Sequence, residues 1–214
     1  QSLSTWKNKI AYTSFTFYET IDVSESITAP EATTTTTSTS PIPSSDSTVV
    51  SRSEWQAEPP SRPLRPVESE PLAYVVAGTT DISGSSCLGL LWCSHAPRQL
   101  QRLARLRGSA DLEHNFLVGG DGIVYEGRGW AVEGEHTLNE LDARSLGVGF
   151  FSDRTTEPVA EQFRALEELL DYGVSMGHLA PDYRLTDRCK LRRDKSCSAF
   201  TKELKKWRHW TDEL

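Results

Sequence analysis

Apolar residues recur along this chain with two different periods. Tyr74-Val75-Val76-Ala77 is a short unbroken apolar run and predicts a buried strand. From Pro97 to Arg107 the spacing becomes helical, with Leu100, Leu103 and Leu106 on one stripe and Gly108 placed to end it. Leu146 to Phe151 is another strand-like run. Pro158 to about Met176 is the strongest helical pattern: proline sits in the first turn, and Phe163, Leu166 and Leu170 share a face. A last helix over about Ala199 to Arg208 aligns Phe200, Leu204 and Trp207. Mixed strands covered by three helices predict a layered α/β domain built on one core.

Between the first two helices lies a tighter pattern. Phe116-Leu117-Val118 leads into Gly119-Gly120-Asp121-Gly122, and Ile123-Val124-Tyr125 follows at once. Glycine and aspartate tolerate the positive φ angles of tight turns, so two apolar runs around such a tetrad predict a β-hairpin. Its second strand ends in Gly127-Arg128-Gly129-Trp130, a lone arginine and a large aromatic between permissive residues. That arrangement suits the rim of a binding site.

Residues 1–50 lack this patterning. Thr33 to Thr37 is unbroken threonine, followed by Ser38-Thr39-Ser40-Pro41-Ile42-Pro43-Ser44-Ser45. Such a composition offers too little apolar burial to offset the entropy of ordering, which predicts a largely disordered stalk ahead of a single folded domain at 51–214. Serine, threonine and proline together also suggest O-glycosylation. The part around Trp6, Phe15, Phe17 and Tyr18 is less polar. The chain opens at Gln1 and its only methionine is Met176, so it reads as a fragment or processed product. Nothing in it approaches the ~18 consecutive apolar residues of a membrane span.

The formal net charge of -7 argues against a nucleic-acid partner, which would need a basic face. Locally, Arg184 to Arg208 is rich in lysine and arginine, with Asp187, Asp194 and Glu203 as its only acids. This is either a solvated helix face with its preceding loop or a docking patch for an acidic partner or anionic ligand. The four cysteines form two local pairs, Cys87 with Cys93 and Cys189 with Cys197, as expected of disulfides in a secreted domain. Zinc-binding pairs are the alternative, but C-x5-C and C-x7-C do not match C-x2-C knuckles.

The words NFLVGGDG and YEGRGW followed by GEH closely resemble the signature of peptidoglycan recognition proteins. The opening SRSEWQAEPP, the strand YVV, the C-x5-C pair and the terminal aromatic-rich helix occur in the family's order. The resemblance spans about Ser51 to the C-terminus. It implies the fold shared with zinc amidases related to phage T7 lysozyme, a mixed central β-sheet covered by three helices. The serine- and threonine-rich stalk resembles the juxtamembrane region of long, membrane-anchored insect members. Family amidases hold zinc with two histidines and a cysteine, and the zinc-bound water attacks the amide between muramic acid and L-alanine. Here Gly78 stands at the first histidine position, His136 matches the second, and Ser196 takes the cysteine position one residue before Cys197. His114 replaces the catalytic tyrosine of the Tyr-Asn-Phe motif, ahead of Asn115 and Phe116. The resemblance therefore implies no catalytic residue, no metal and no cofactor. A histidine beside a strand end is more often a hydrogen-bonded structural residue or a groove wall than a ligand, and this applies to both His114 and His136. His95, His178 and His209 read as surface residues.

The groove implied by the family is altered. Arg128 matches the arginine that reads the extra carboxylate of diaminopimelate, a task suited to its planar fork of donors. The alternative is an arginine paired with Glu126 or a neighbouring carboxylate. Gly108 matches a Gly-Trp pair whose tryptophan is Ser109 here, and Ala110-Asp111-Leu112 stands for Asn-Asp-Ile. Glu135 takes a small-residue position, and one residue is added within 137–142, both of which obstruct an acidic sugar-peptide. The expected ligand-facing set is Gly108, His114, Asn115, Phe116, Arg128, Trp130 and His136. These departures imply the extracellular domain of a plasma-membrane receptor in innate immunity. It would be an accessory subunit that pairs, in a ligand-dependent heterodimer, with a related domain holding a diaminopimelate-type muropeptide. A receptor binding peptidoglycan in its own groove and an inhibitory decoy are the alternatives, with active amidase disfavoured.

Overall fold

The computed structural model describes residues 49–80, 93–137, 139–152, 157–192 and 199–213. The chain divides into two units, Gln1–Ile42 and Pro43–Leu214, and every described residue belongs to the second. The expected stalk, Cys87 and the segment holding Ser196 and Cys197 lie outside the described residues.

Six strands form one mixed sheet: β1 (Val49–Val50), β2 (Leu72–Thr79), β3 (Phe116–Val118), β4 (Val124–Glu126), β5 (Ser145–Phe150) and β6 (Leu179–Asp187). Their order is β1-β4-β3-β5-β2-β6. The expected hairpin is present, with β3 antiparallel to β4 and Val118 opposite Val124. Gly122 adopts φ 74°, and Gly119 N–H donates to the Ile123 carbonyl across the turn at 2.9 Å. The other pairings are parallel, joining β1 to β4, β3 to β5, β5 to β2 and β2 to β6. Helices α1 (Ala96–Leu106), α2 (Ala160–Ser175) and α4 (Ala199–Leu204) were anticipated, whereas the single turn α3 (Arg188–Leu191) was not. Two strands were also missed. β6 contains Pro181-Asp182, which breaks its apolar run, and β1 lies within the segment read as stalk.

Alternation along the strands gives the sheet two apolar faces. Phe116, Val118, Val124, Leu146, Val148 and Phe150 join Leu166, Leu169, Leu170, Phe200 and Leu204 in one cluster. Leu117 and Tyr125 point the other way, to Trp55, Ala96, Leu100 and Phe151. Burial of each large side chain contributes roughly 1.5–3 kcal/mol, which sets the register of the sheet against slippage. Helix α1 buries a face other than the expected leucine stripe. Ala96, Pro97, Leu100, Gln101 and Ala104 face inward, while Leu103 is 41% and Leu106 84% exposed. Buried Gln101 orients the helix: its amide donates to Asp111 Oδ1 at 2.6 Å and to the Glu58 carbonyl at 2.8 Å. Asp111 is itself paired with Arg52 at 2.8 Å.

Candidate ligand-binding site

Because β2, β5 and β6 run parallel, their C-terminal ends meet at one edge of the sheet, a common place for ligand sites in α/β proteins. A cavity of about 270 Å3 opens there. Helix α1 supplies one wall through Leu100, Leu103, Ala104 and Arg107. The segment before β3 supplies Leu112, Glu113 and His114, Thr80 follows β2, and Arg188 and Arg192 stand at the two ends of α3. Glycines at the strand ends leave room for these side chains. A β-carbon on Gly149 would stand 3.0 Å from His114 Cδ2, and one on Gly78 would stand 2.9 Å from Arg188 Cβ. Arg188 reaches across the floor, with Nη1 3.4 Å from His114 Nε2 and Nη2 3.7 Å from Glu113 Oε2. Arg107 Nη1 approaches the other oxygen of Glu113 at 3.7 Å. Burial, reinforced by the charge of Arg188, holds the His114 pKa well below that of a free imidazole.

The family model described as N-acetylmuramoyl-L-alanine amidase matches residues 68–200. Peptidoglycan-recognition protein LC of Drosophila melanogaster is 34% identical over 168 residues, covering 76% of this chain and 32% of that protein. Peptidoglycan recognition protein 1 of Rattus norvegicus is 39% identical over 142 residues, covering 64% of this chain and 74% of the relative. The chain belongs to the peptidoglycan recognition protein family. It spans about a third of the length of the fruit-fly relative. A solved structure of tracheal cytotoxin bound to the ectodomain complex of peptidoglycan recognition proteins LCa and LCx superposes with a TM-score of 0.71. That match has 33% identity and covers 77% of this chain and 99% of that one.

Two positions at this end of the β2–β6 pair offer no side-chain lone pair to a zinc ion. Glycine at 78 offers no donor, and its neighbour across the β2–β6 pair is Arg188, whose guanidinium can only donate. His136, which the resemblance matches to a zinc histidine, is bonded within the domain. It lies over Gly147, fully buried, with Nε2 2.9 Å from Ser145 Oγ and 3.4 Å from Asp142 Oδ1. The Ser145 hydroxyl donates to the Leu141 carbonyl, so His136 Nε2 carries the proton that Ser145 accepts. Burial pushes the His136 pKa down to about 4, against the opposing pull of Asp142.

Of the residues expected to face ligand, only His114 lines the cavity. Arg128 is buried, and its guanidinium is committed internally: Nε donates to the Leu112 carbonyl at 2.5 Å and Nη1 to the Glu133 carbonyl at 2.7 Å. Its Nη2 lies 3.1 Å from Glu135 Oε2. The paired alternative describes this arginine, with Glu135 rather than Glu126 as partner. Asn115 locks the hairpin to β5, accepting from Gly147 N–H at 2.9 Å and donating to the Gly129 and Val132 carbonyls. Phe116 and Trp130 face the α2 side, where Trp130 meets Phe116 at 4.8 Å and stacks on His178 at 4.9 Å. Gly108 caps α1 with φ 96° and is exposed. The motif that carries the family resemblance is thus mostly structural in this chain.

Sequence reasoning missed Arg188 as a site residue because it was read only as one charge in a basic run. The signal was its place directly after the edge strand β6, in register with the end of β2. Cys93 and Cys189 are each disulfide-bonded, while their expected partners lie outside the described residues. Among the described residues, no helix is long and apolar enough to cross a membrane.

Proposed function

We propose that this chain is the extracellular, non-catalytic recognition domain of a membrane receptor of the PGRP-LC type, acting in the role of the LCa isoform. It pairs with a related domain that holds a diaminopimelate-type muropeptide and contacts the part of that ligand left exposed. Such a ligand is exemplified by tracheal cytotoxin, a monomeric diaminopimelic acid-type peptidoglycan. The observation that carries the reading is Arg128. The side chain suited to a ligand carboxylate is buried beneath Glu135 and bonded to its own backbone surroundings. Binding in this domain's own groove would have to break that pair, whereas a partner that already holds the ligand avoids the cost. Tracheal cytotoxin bound to the ectodomain complex of LCa and LCx supports the same arrangement. Cys87–Cys93 and Cys189–Cys197 form the disulfides, and the stalk carries O-linked sugar.

One observation favours a receptor that binds in its own groove: Arg107, Arg188 and Arg192 all line the cavity. Calorimetric titration of a monomeric diaminopimelate-type muropeptide separates the two. We expect no heat above background with this domain alone, and ligand-dependent complex formation once a groove-competent paralogue is added. Micromolar binding to the isolated domain would restore the own-groove reading. Stem-peptide release from peptidoglycan that a chelator abolishes would overturn the non-catalytic one.

A further inference from the structure

We infer that Arg188 is the resident cation of this site, taking the place, the charge and the anchoring role of a metal ion. This goes beyond the absence of catalysis, because it names what fills the metal's position and what keeps an ion out. Register fixes the geometry. Ala77 lies opposite Asp187 in the parallel β2–β6 pair, so the next residues, Gly78 still within β2 and Arg188 at the start of α3, stand side by side. At 2.9 Å from the Arg188 β-carbon, a side chain at position 78 has no space unless Arg188 moves. Every residue but glycine carries that β-carbon, so the glycine matches the backbone placement of residue 188, while the guanidinium brings the charge.

The guanidinium also holds the groups that a cation would hold. His114 presents Nε2 to Nη1 at 3.4 Å, and Glu113 presents a carboxylate oxygen to Nη2 at 3.7 Å. A guanidinium has donors only, so the nitrogen facing it carries the lone pair, as it would facing a metal. The charge is held in a side chain only 13% exposed and persists across the accessible pH range. A divalent ion entering here would meet a fixed positive charge in a poorly screened setting. Exclusion is therefore active, by charge and volume, and would persist if a missing donor were restored.

The test compares the full chain with Gly78→His, and with Gly78→His combined with Arg188→His. Zinc is measured by equilibrium dialysis, and cobalt(II) by its visible absorption, with circular dichroism and thermal melting as checks of folding. The natural chain and Gly78→His should retain no stoichiometric zinc. The double variant, which brings two new imidazoles beside His114, should bind one ion at least 100-fold more tightly than Gly78→His. If Gly78→His does not fold, Arg188→His alone is compared with the natural chain: at least a tenfold gain in zinc affinity is expected, and equal affinity would overturn the inference. If the double histidine variant does not fold, Gly78→His with Arg188→Ala replaces it, with at least a tenfold gain expected. Zinc bound by Gly78→His within tenfold of the double variant would overturn the inference, as would a folded double variant that takes no metal. Muropeptide-dependent pairing is a separate measurement without metal, so the receptor reading and this one fail independently.

Discussion

Arg128 keeps the family's motif word while its guanidinium is engaged by groups of its own chain. The Leu112 and Glu133 carbonyls accept from its guanidinium, and Glu135 neutralises it at the edge of the groove. Removing Glu135 leaves a buried guanidinium without its countercharge. Glu135→Ala should therefore lower stability by about 1–3 kcal/mol, read as a lower urea midpoint at unchanged slope. An unchanged midpoint would mean that Arg128 is held by the carbonyls alone. His136 carries a second residue-scale prediction. Its folded pKa is near 4 against 6.5 for an exposed histidine, with Ser145, Asp142, Arg188, Arg128 and His114 as its polar surroundings. Between those values the unfolded chain binds the proton more readily than the folded one, so stability falls as pH drops from 6.5 toward 4. The loss is on the order of 3 kcal/mol for this group, and His114 shifts in the same direction. Urea unfolding measured at a series of pH values should show that decline, and His136→Asn should flatten it.

Elements differ from their sequence patterns where a polar residue decides the packing. Three leucines mark a stripe on α1, but buried Gln101 bonds the Glu58 backbone and the Asp111 carboxylate, and these contacts turn its own face of the helix inward. Leu100→Ala should cost about 2–4 kcal/mol, whereas Leu106→Ser should change stability by less than ~0.5 kcal/mol. Equal effects in thermal melts would contradict the observed face. On β5, glycine at 147 lets the His136 ring lie against the strand. Gly147→Ala should therefore destabilise by about 1–3 kcal/mol. Much of that cost should vanish in a His136→Ala background, a coupling that a double-mutant cycle reads directly. Two independent, additive penalties would place the strain elsewhere.

At the scale of the whole molecule, the proposed receptor depends on a ligand that favours the pair over its separate halves. A hundredfold tightening of the heterodimer by muropeptide corresponds to about 2.7 kcal/mol of coupling, and sedimentation with and without the ligand would measure it. Equal association in both conditions would remove the ligand-sensing role. The sequence by itself determined the layered α/β class, the hairpin, three helices and the family, because periodicity and turn chemistry are local and the motif words stand contiguous in the chain. It also located the departures at Gly78 and His114. Only the tertiary structure decided what those departures mean. Whether an arginine reads a ligand or supports a hairpin depends on which acceptors surround it, and Leu112, Glu133 and Glu135 reach Arg128 only through the folded loop. Likewise Gly78 and Arg188 are distant in sequence and become neighbours only through the parallel pairing of β2 with β6. Long-range register, which no local pattern encodes, set the chemistry of the site.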